Sequence, residues 1–98
     1  MATYIALSNF TDQGIRSVKD TTKRADAVKE AAGRFGAKMT QIYWTQGAYD
    51  VVAIIEAPDD ESATTFALAI GVAGNIRTQT LRAFSKDEMN GILAKLAS

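Results

Sequence analysis

The chain has 98 residues, enough for one small domain and too few for two. Lys plus Arg and Asp plus Glu number 11 each, so no basic field exists to attract phosphate backbones, and nucleic acid is not an expected partner. The absence of His and Cys excludes disulfides, thiolate chemistry and Ser-His-Asp catalysis.

The N-terminus, Met1 to Ser8, has neither a basic region nor a long apolar run, so it does not read as a signal peptide. No stretch approaches the ~20 apolar residues of a membrane span. A soluble, cytoplasmic protein with no membrane association is expected.

Thr3 to Asn9 is a short apolar run suited to a buried strand. Thr11 and Asp12 follow as N-cap and first-turn acid of a helical segment that reaches about Phe35. Ala25, Val28, Ala32 and Phe35 form one stripe of it, and the polar Lys19-Asp20-Thr21-Thr22 predicts a break near its start. Gly36 is placed as a C-cap. Lys38 to Thr45 and Tyr49 to Ala57 read as two strands, and Gln46-Gly47-Ala48 between them leaves room only for a hairpin. Pro58 stops the second of these, and Asp59 or Asp60 caps a helix that turns Ala63, Phe66, Ala67 and Ile70 inward. Gly71 and Gly74 bracket its end. Asn75 to Phe84 reads as the fourth strand. Ser85-Lys86-Asp87-Glu88 is a capping box, and the helix behind it carries Met89, Ile92, Leu93 and Leu96 on one side.

The order β-α-β-β-α-β plus a final helix predicts an α+β, ferredoxin-like domain spanning residues 1–98. Such a sheet has helices on one face only. Along the third strand Val51, Ala53 and Ile55 alternate with Val52 and Ile54, so both faces are apolar. One set meets the helices; the other needs a partner sheet, most economically in a two-fold dimer. Apolar residues at 47% agree with a surface that expects cover.

Several motifs then point the same way. Gly47-x-Tyr49-Asp50, the strand exit Glu56-Ala57-Pro58-Asp59, and Gly74-Asn75-x-Arg77-Thr78-x-Thr80-Leu81-Arg82-Ala83-Phe84 resemble the GYD-domain family. Tyr4, the helix start Phe10-Thr11-x-Gln13-Gly14-Ile15, and Arg24 extend the resemblance over nearly the whole chain. It implies a small bacterial protein with a dimeric α+β-barrel fold and no established activity. More distantly, the Gly-x-Tyr-Asp hairpin and the strand after Gly74 resemble the ligand-binding domain of leucine-responsive transcription regulators, with Asn75 where valine is usual and no helix-turn-helix. That likeness implies homo-oligomers, up to rings, and an amino-acid site between subunits.

Eight residues are the candidates for a small organic ligand: Tyr4, Asn9, Tyr43, Trp44, Tyr49, Asp50, Arg77 and Arg82. Tyr4, Asn9, Tyr43, Trp44 and Arg82 lie on predicted strands and resemble the sets with which cofactor-independent monooxygenases of the same superfold hold phenolic substrates. An oxygenase or isomerase acting on a phenolic or quinone-like compound is therefore the alternative to a binding or interaction module. The structural reading is plainer for most of these residues. Buried rings pack, Gly47 and Asp50 serve a turn, and strand arginines pair with carboxylates, across a dimer in the expected case. Asp59-Asp60-Glu61 reads as a helix cap rather than a cation site. No metal and no cofactor are expected.

Overall fold

The computed structural model describes residues 1–96. Its central strand is β1 (Ala2–Phe10), flanked by β3 (Val51–Ala57) and β4 (Ile76–Ala83), with β2 (Lys38–Trp44) outside β3. The order β2-β3-β1-β4, with every neighbouring pair antiparallel, is the ferredoxin-like arrangement that the element order predicts.

The helical segment between β1 and β2 breaks where its polar patch lies. α1 (Asp12–Arg16) ends at Ser17, a 3-10 turn spans Val18–Asp20, and α2 (Thr21–Ala32) follows. A second 3-10 turn reaches Phe35, and Gly36 closes it at φ 69°. Thr11 caps α1 by accepting from the Gly14 amide. Asp59 caps α3 (Asp60–Val72) by accepting the Ser62 amide at 2.8 Å, which holds its carboxyl below the ordinary aspartate value. The acids at 59–61 thus form a cap and first helical turn, as expected.

Side chains alternate across the sheet. Tyr4 and Ser8 of β1 and Val51, Ala53, Ile55 and Ala57 of β3 face the helices and are buried. Tyr4, Ala53, Ile55 and Ala57 form one core with Ala32 from α2 and Ala63 and Phe66 from α3. Phe35 and Phe66 pack with ring centroids 6.0 Å apart, so the turn after α2 meets α3 within the one helical layer. In β2 a bulge between Met39 and Gln41 lets Met39 and Ile42, three positions apart, both turn inward.

Among the described residues, no helix packs on the opposite face. Its centre is Ile5, Leu7, Val52 and Ile54, each partly exposed, with Leu81 41% exposed beside them, and Asn9, Gln41, Tyr43, Glu56, Arg77 and Gln79 surround them. An apolar centre with a polar rim is the layout of a protein interface.

α4 (Lys86–Leu93) stands apart from the rest. Its capping box is complete: Ser85 accepts the Glu88 amide at 3.1 Å, and the Glu88 carboxylate accepts the Ser85 amide at 3.0 Å. That second bond holds the Glu88 carboxyl below its ordinary value, with Arg82 adding to the effect. Yet no residue of α4 is buried, and it makes at most marginal contact with any other element. The chain measures 55 × 31 × 18 Å along its principal axes. The radius of gyration is 14.9 Å, against about 13 Å for a compact chain of this length.

Candidate functional site

Sheet and helices do not close tightly on each other. A half-open cavity of about 170 Å³ lies between the sheet, α2 and α3. Its walls are mostly apolar: Ala6, Ile42, Ala53 and Ile55 from the sheet, Val28 from α2, and Phe66, Ala67 and Ile70 from α3. Few polar groups reach it. The Ser8 and Thr78 hydroxyls bond to each other at 2.9 Å across β1 and β4, and Thr80, Arg24 and Asn75 line the same space.

Of the eight candidate residues, Tyr4 and Trp44 line this cavity. The Trp44 indole N–H donates to the Thr21 hydroxyl at 3.0 Å and ties the end of β2 to the start of α2. The Tyr4 hydroxyl donates to Asp60 Oδ1 at 2.5 Å. That bond, reinforced by burial, holds the Tyr4 proton more tightly than in a free phenol. Arg82 lies at the same end, its guanidinium 5.6 Å from the Tyr4 ring centroid and 4.5 Å from that of Phe84. It donates to the Thr3 and Ala83 carbonyls and pairs with Glu88 at 3.6 Å. The carboxylate it meets is therefore one of its own chain.

Asn9, Tyr43 and Arg77 lie through the sheet, on the face without helices. Tyr49 is also on that side, and its hydroxyl donates to Gln79 Oε1 at 2.9 Å. Asp50 faces neither space. It accepts the Phe10 amide at 3.0 Å while its own amide donates to Ser8. The eight residues form two groups separated by the sheet, with Asp50 between them. Among the described residues, no three acidic, His or Cys side chains converge as metal ligands.

A model of the GYD domain family matches residues 4–93. The chain belongs to that family. It is 32% identical over 84 residues to a Thermus thermophilus protein named "glutamine synthetase and cystathionine beta-lyase binding protein", covering 85% of this chain and 88% of the relative. A crystal structure of TTHA0845, also from Thermus thermophilus, superposes with a TM-score of 0.57 at 25% identity, covering 87% of this chain and 95% of that one.

The Gly47-x-Tyr49-Asp50 motif has a structural account in this fold. The Thr45 amide donates to the Asp50 carbonyl at 2.8 Å, and the Thr45 hydroxyl donates to the Tyr49 carbonyl at 2.6 Å. The loop therefore runs through Asp50, and β3 begins at Val51 rather than at Tyr49. Gly47 sits at φ 104°, a conformation side chains resist. The Asp50 carboxylate holds the end of β1 against this loop. Asp50→Ala leaves the Phe10 N–H without its acceptor and is expected to cost about 1–3 kcal/mol of stability. Asp50→Asn, which keeps an acceptor oxygen, is expected to cost less; urea denaturation of both variants checks the order.

Sequence reasoning missed a second cluster of GYD-family residues. The Thr11 amide donates to the Asn75 carbonyl at 3.1 Å, and the Thr11 hydroxyl donates to the Gly74 carbonyl at 2.5 Å. Gln13 bonds the Ala73 carbonyl and the Asn75 side chain. Arg24 closes the other side of α1 through the Ser17 carbonyl at 2.7 Å and the Gly14 carbonyl at 3.2 Å. A Cβ on the buried Gly14 would lie 2.0 Å from the Asn75 carbonyl oxygen, so only glycine allows α1 to rest on the loop before β4. The Thr11-x-Gln13-Gly14 and Gly74-Asn75 motifs are two halves of one joint. Their only shared sign in the sequence is that glycine and amide residues recur near the start of a helix and the start of a strand.

Proposed function

We propose that this GYD-domain chain is a self-associating interaction module that also takes a small organic ligand. The carrying observation is the face of the sheet without helices: Ile5, Leu7, Val52, Ile54 and Leu81 at the centre of a polar rim. A single copy leaves Leu81 exposed and the other four partly open to water. A second copy placed face to face by a two-fold axis covers both sets at once. The rim residues Asn9, Tyr43, Tyr49 and Arg77 then stand at the subunit boundary, where hydrogen-bonding groups confer register and specificity.

The relative from Thermus thermophilus, named for binding two enzymes, supports a protein-binding role for this chain as well. An enzyme partner in the cytoplasm is the reading that fits it. The ligand reading rests on the cavity between sheet and helices, whose apolar walls and Ser8–Thr78 hydroxyl pair suit a small, largely apolar compound with one polar group. The distant likeness to leucine-responsive regulators adds the subunit boundary as a second ligand location. An oxygenase or isomerase would have Tyr4 and Trp44 in that cavity but not Asn9, Tyr43 or Arg82, which is why binding is preferred to catalysis.

The association has a direct spectroscopic test. In a methyl-labelled sample at high micromolar concentration, the Ile5, Leu7, Val52 and Ile54 methyls are expected to be shielded from a soluble paramagnetic agent, and the Val72 methyls, 86% exposed on α3, to be broadened by it. Equal broadening at both places would contradict the proposal.

A further inference from the structure

We infer that α4 is an exchanged arm: its apolar side docks on a second copy of this chain and completes the interface that the open sheet face begins. The inference rests on the self-association proposed above. Three observations carry it. First, α4 is fully formed yet unpacked. Met89, Ile92 and Leu93 are 41%, 38% and 51% exposed, Leu96 just past the helix is 68% exposed, and none is buried in its own protomer. A helix of eight residues is too short to persist in water on its capping box alone, since isolated helices below about 12–15 residues are marginal. It needs a standing contact, and a second copy is the one surface present in equal number whenever the chain is.

Second, the open sheet face is too small by itself. Four strands spaced ~4.8 Å apart, each about seven residues long at ~3.4 Å per residue, give a footprint of roughly 450 Å². A standard stable interface covers about 800 Å² on each partner. In a two-fold dimer every arm counts twice, once as donor and once as the surface it lands on. Two half-cylinders of α4 therefore supply roughly 300 Å² more per protomer, and the total approaches the usual size.

Third, α4 leaves directly from the region the sheet face ends in. Leu81 and Ala83 of β4 lie on the open face, and Phe84 and the Ser85 cap follow without a linker. The Arg82–Glu88 pair and the Arg82 guanidinium over Phe84 fix the direction in which the helix departs. An arm rooted at the rim of one sheet face and pointing away from its own protomer is placed to reach across that rim.

The test is photo-crosslinking with the full-length chain carrying Leu93→benzoylphenylalanine, using a mixture of natural-abundance and 15N-labelled protein. The expected result is a covalent dimer whose linked peptides pair one isotope with the other. The Ile92→Asp/Leu93→Asp variant is expected to weaken the dimer about tenfold or more. Because α4 makes at most marginal contact with the domain, the variant's protomer should keep its unfolding midpoint. A dimer that persists with unchanged affinity, and in which the probe links only within its own chain or not at all, would overturn the arm while leaving the sheet-face association standing. A monomer at every concentration would overturn both. Crosslinking in cells to another protein, with none to a second copy, would assign the arm to a foreign partner and overturn the inference.

Discussion

Replacing Gly14 with alanine is expected to lower the unfolding free energy of the chain by about 2–4 kcal/mol, among the larger effects for a change of one methyl group. The new Cβ would fall 2.0 Å from the Asn75 carbonyl oxygen and 2.9 Å from its carbon. Both atoms are backbone, so no side-chain rotation relieves the overlap. α1 has to lift from the loop before β4, and the Thr11–Asn75, Thr11–Gly74 and Gln13 bonds stretch or break together. Each lost bond leaves polar groups in a partly buried place, which costs about 1–3 kcal/mol before relaxation. Gly33→Ala is the control: nothing lies within 4 Å of its Cβ position and its φ is −60°. It is expected to be neutral or slightly stabilising through the reduced entropy of the unfolded chain. Urea midpoints for the two variants check the contrast, and a loss below about 0.5 kcal/mol for Gly14→Ala, within the range of an inert surface change, would show that the joint yields.

The other large effect is expected at the open face. Ile54 stands beside Ile5 across the β1–β3 pair and opposite Gln41 of β2, near the middle of that face. Glutamate there places a carboxylate in the dry part of the proposed dimer, and the two-fold axis does so twice. An unpaired buried charge costs several kcal/mol, so association is expected to weaken at least 100-fold, or about 2.7 kcal/mol. The protomer itself should tolerate the change, because Ile54 is only half-buried when alone and does not face the helices. Thr65→Glu on the exposed side of α3 is the matched control for added charge. Sedimentation of the variants over a concentration series gives the comparison.

These two sites also mark what was legible in the sequence. The order of elements, the break before Thr21, the Gly36 stop, the Asp59 cap and the capping box at Ser85 all depend on neighbours within a few positions, and each is where local chemistry puts it. The two apolar sides of β3 were readable from strict alternation. The Gly14 joint was not, because the atom that forbids a side chain there belongs to Asn75, sixty-one positions away.

The distribution of the candidate residues was partly readable. Tyr4 and Asn9 are an odd number of positions apart on one strand, as are Tyr43 and Trp44, and Arg77 and Arg82. Alternation alone sends the members of each pair to opposite faces. Treating them as one set overlooked that period, and the structure separates them accordingly. The bulge after Met39 could not have been anticipated, since Thr40 carries no glycine-like mark of it. Nor does any local rule say that the final helix, although well capped and amphipathic, finds no place on its own domain.

On the proposed reading, one copy of this chain cannot cover its own sheet. Sedimentation equilibrium of the unmodified chain at low micromolar concentration tests it most directly. The mass of two protomers or of a larger even assembly is expected, whereas the 10.5 kDa mass of a lone, fully folded chain would contradict self-association through the open face.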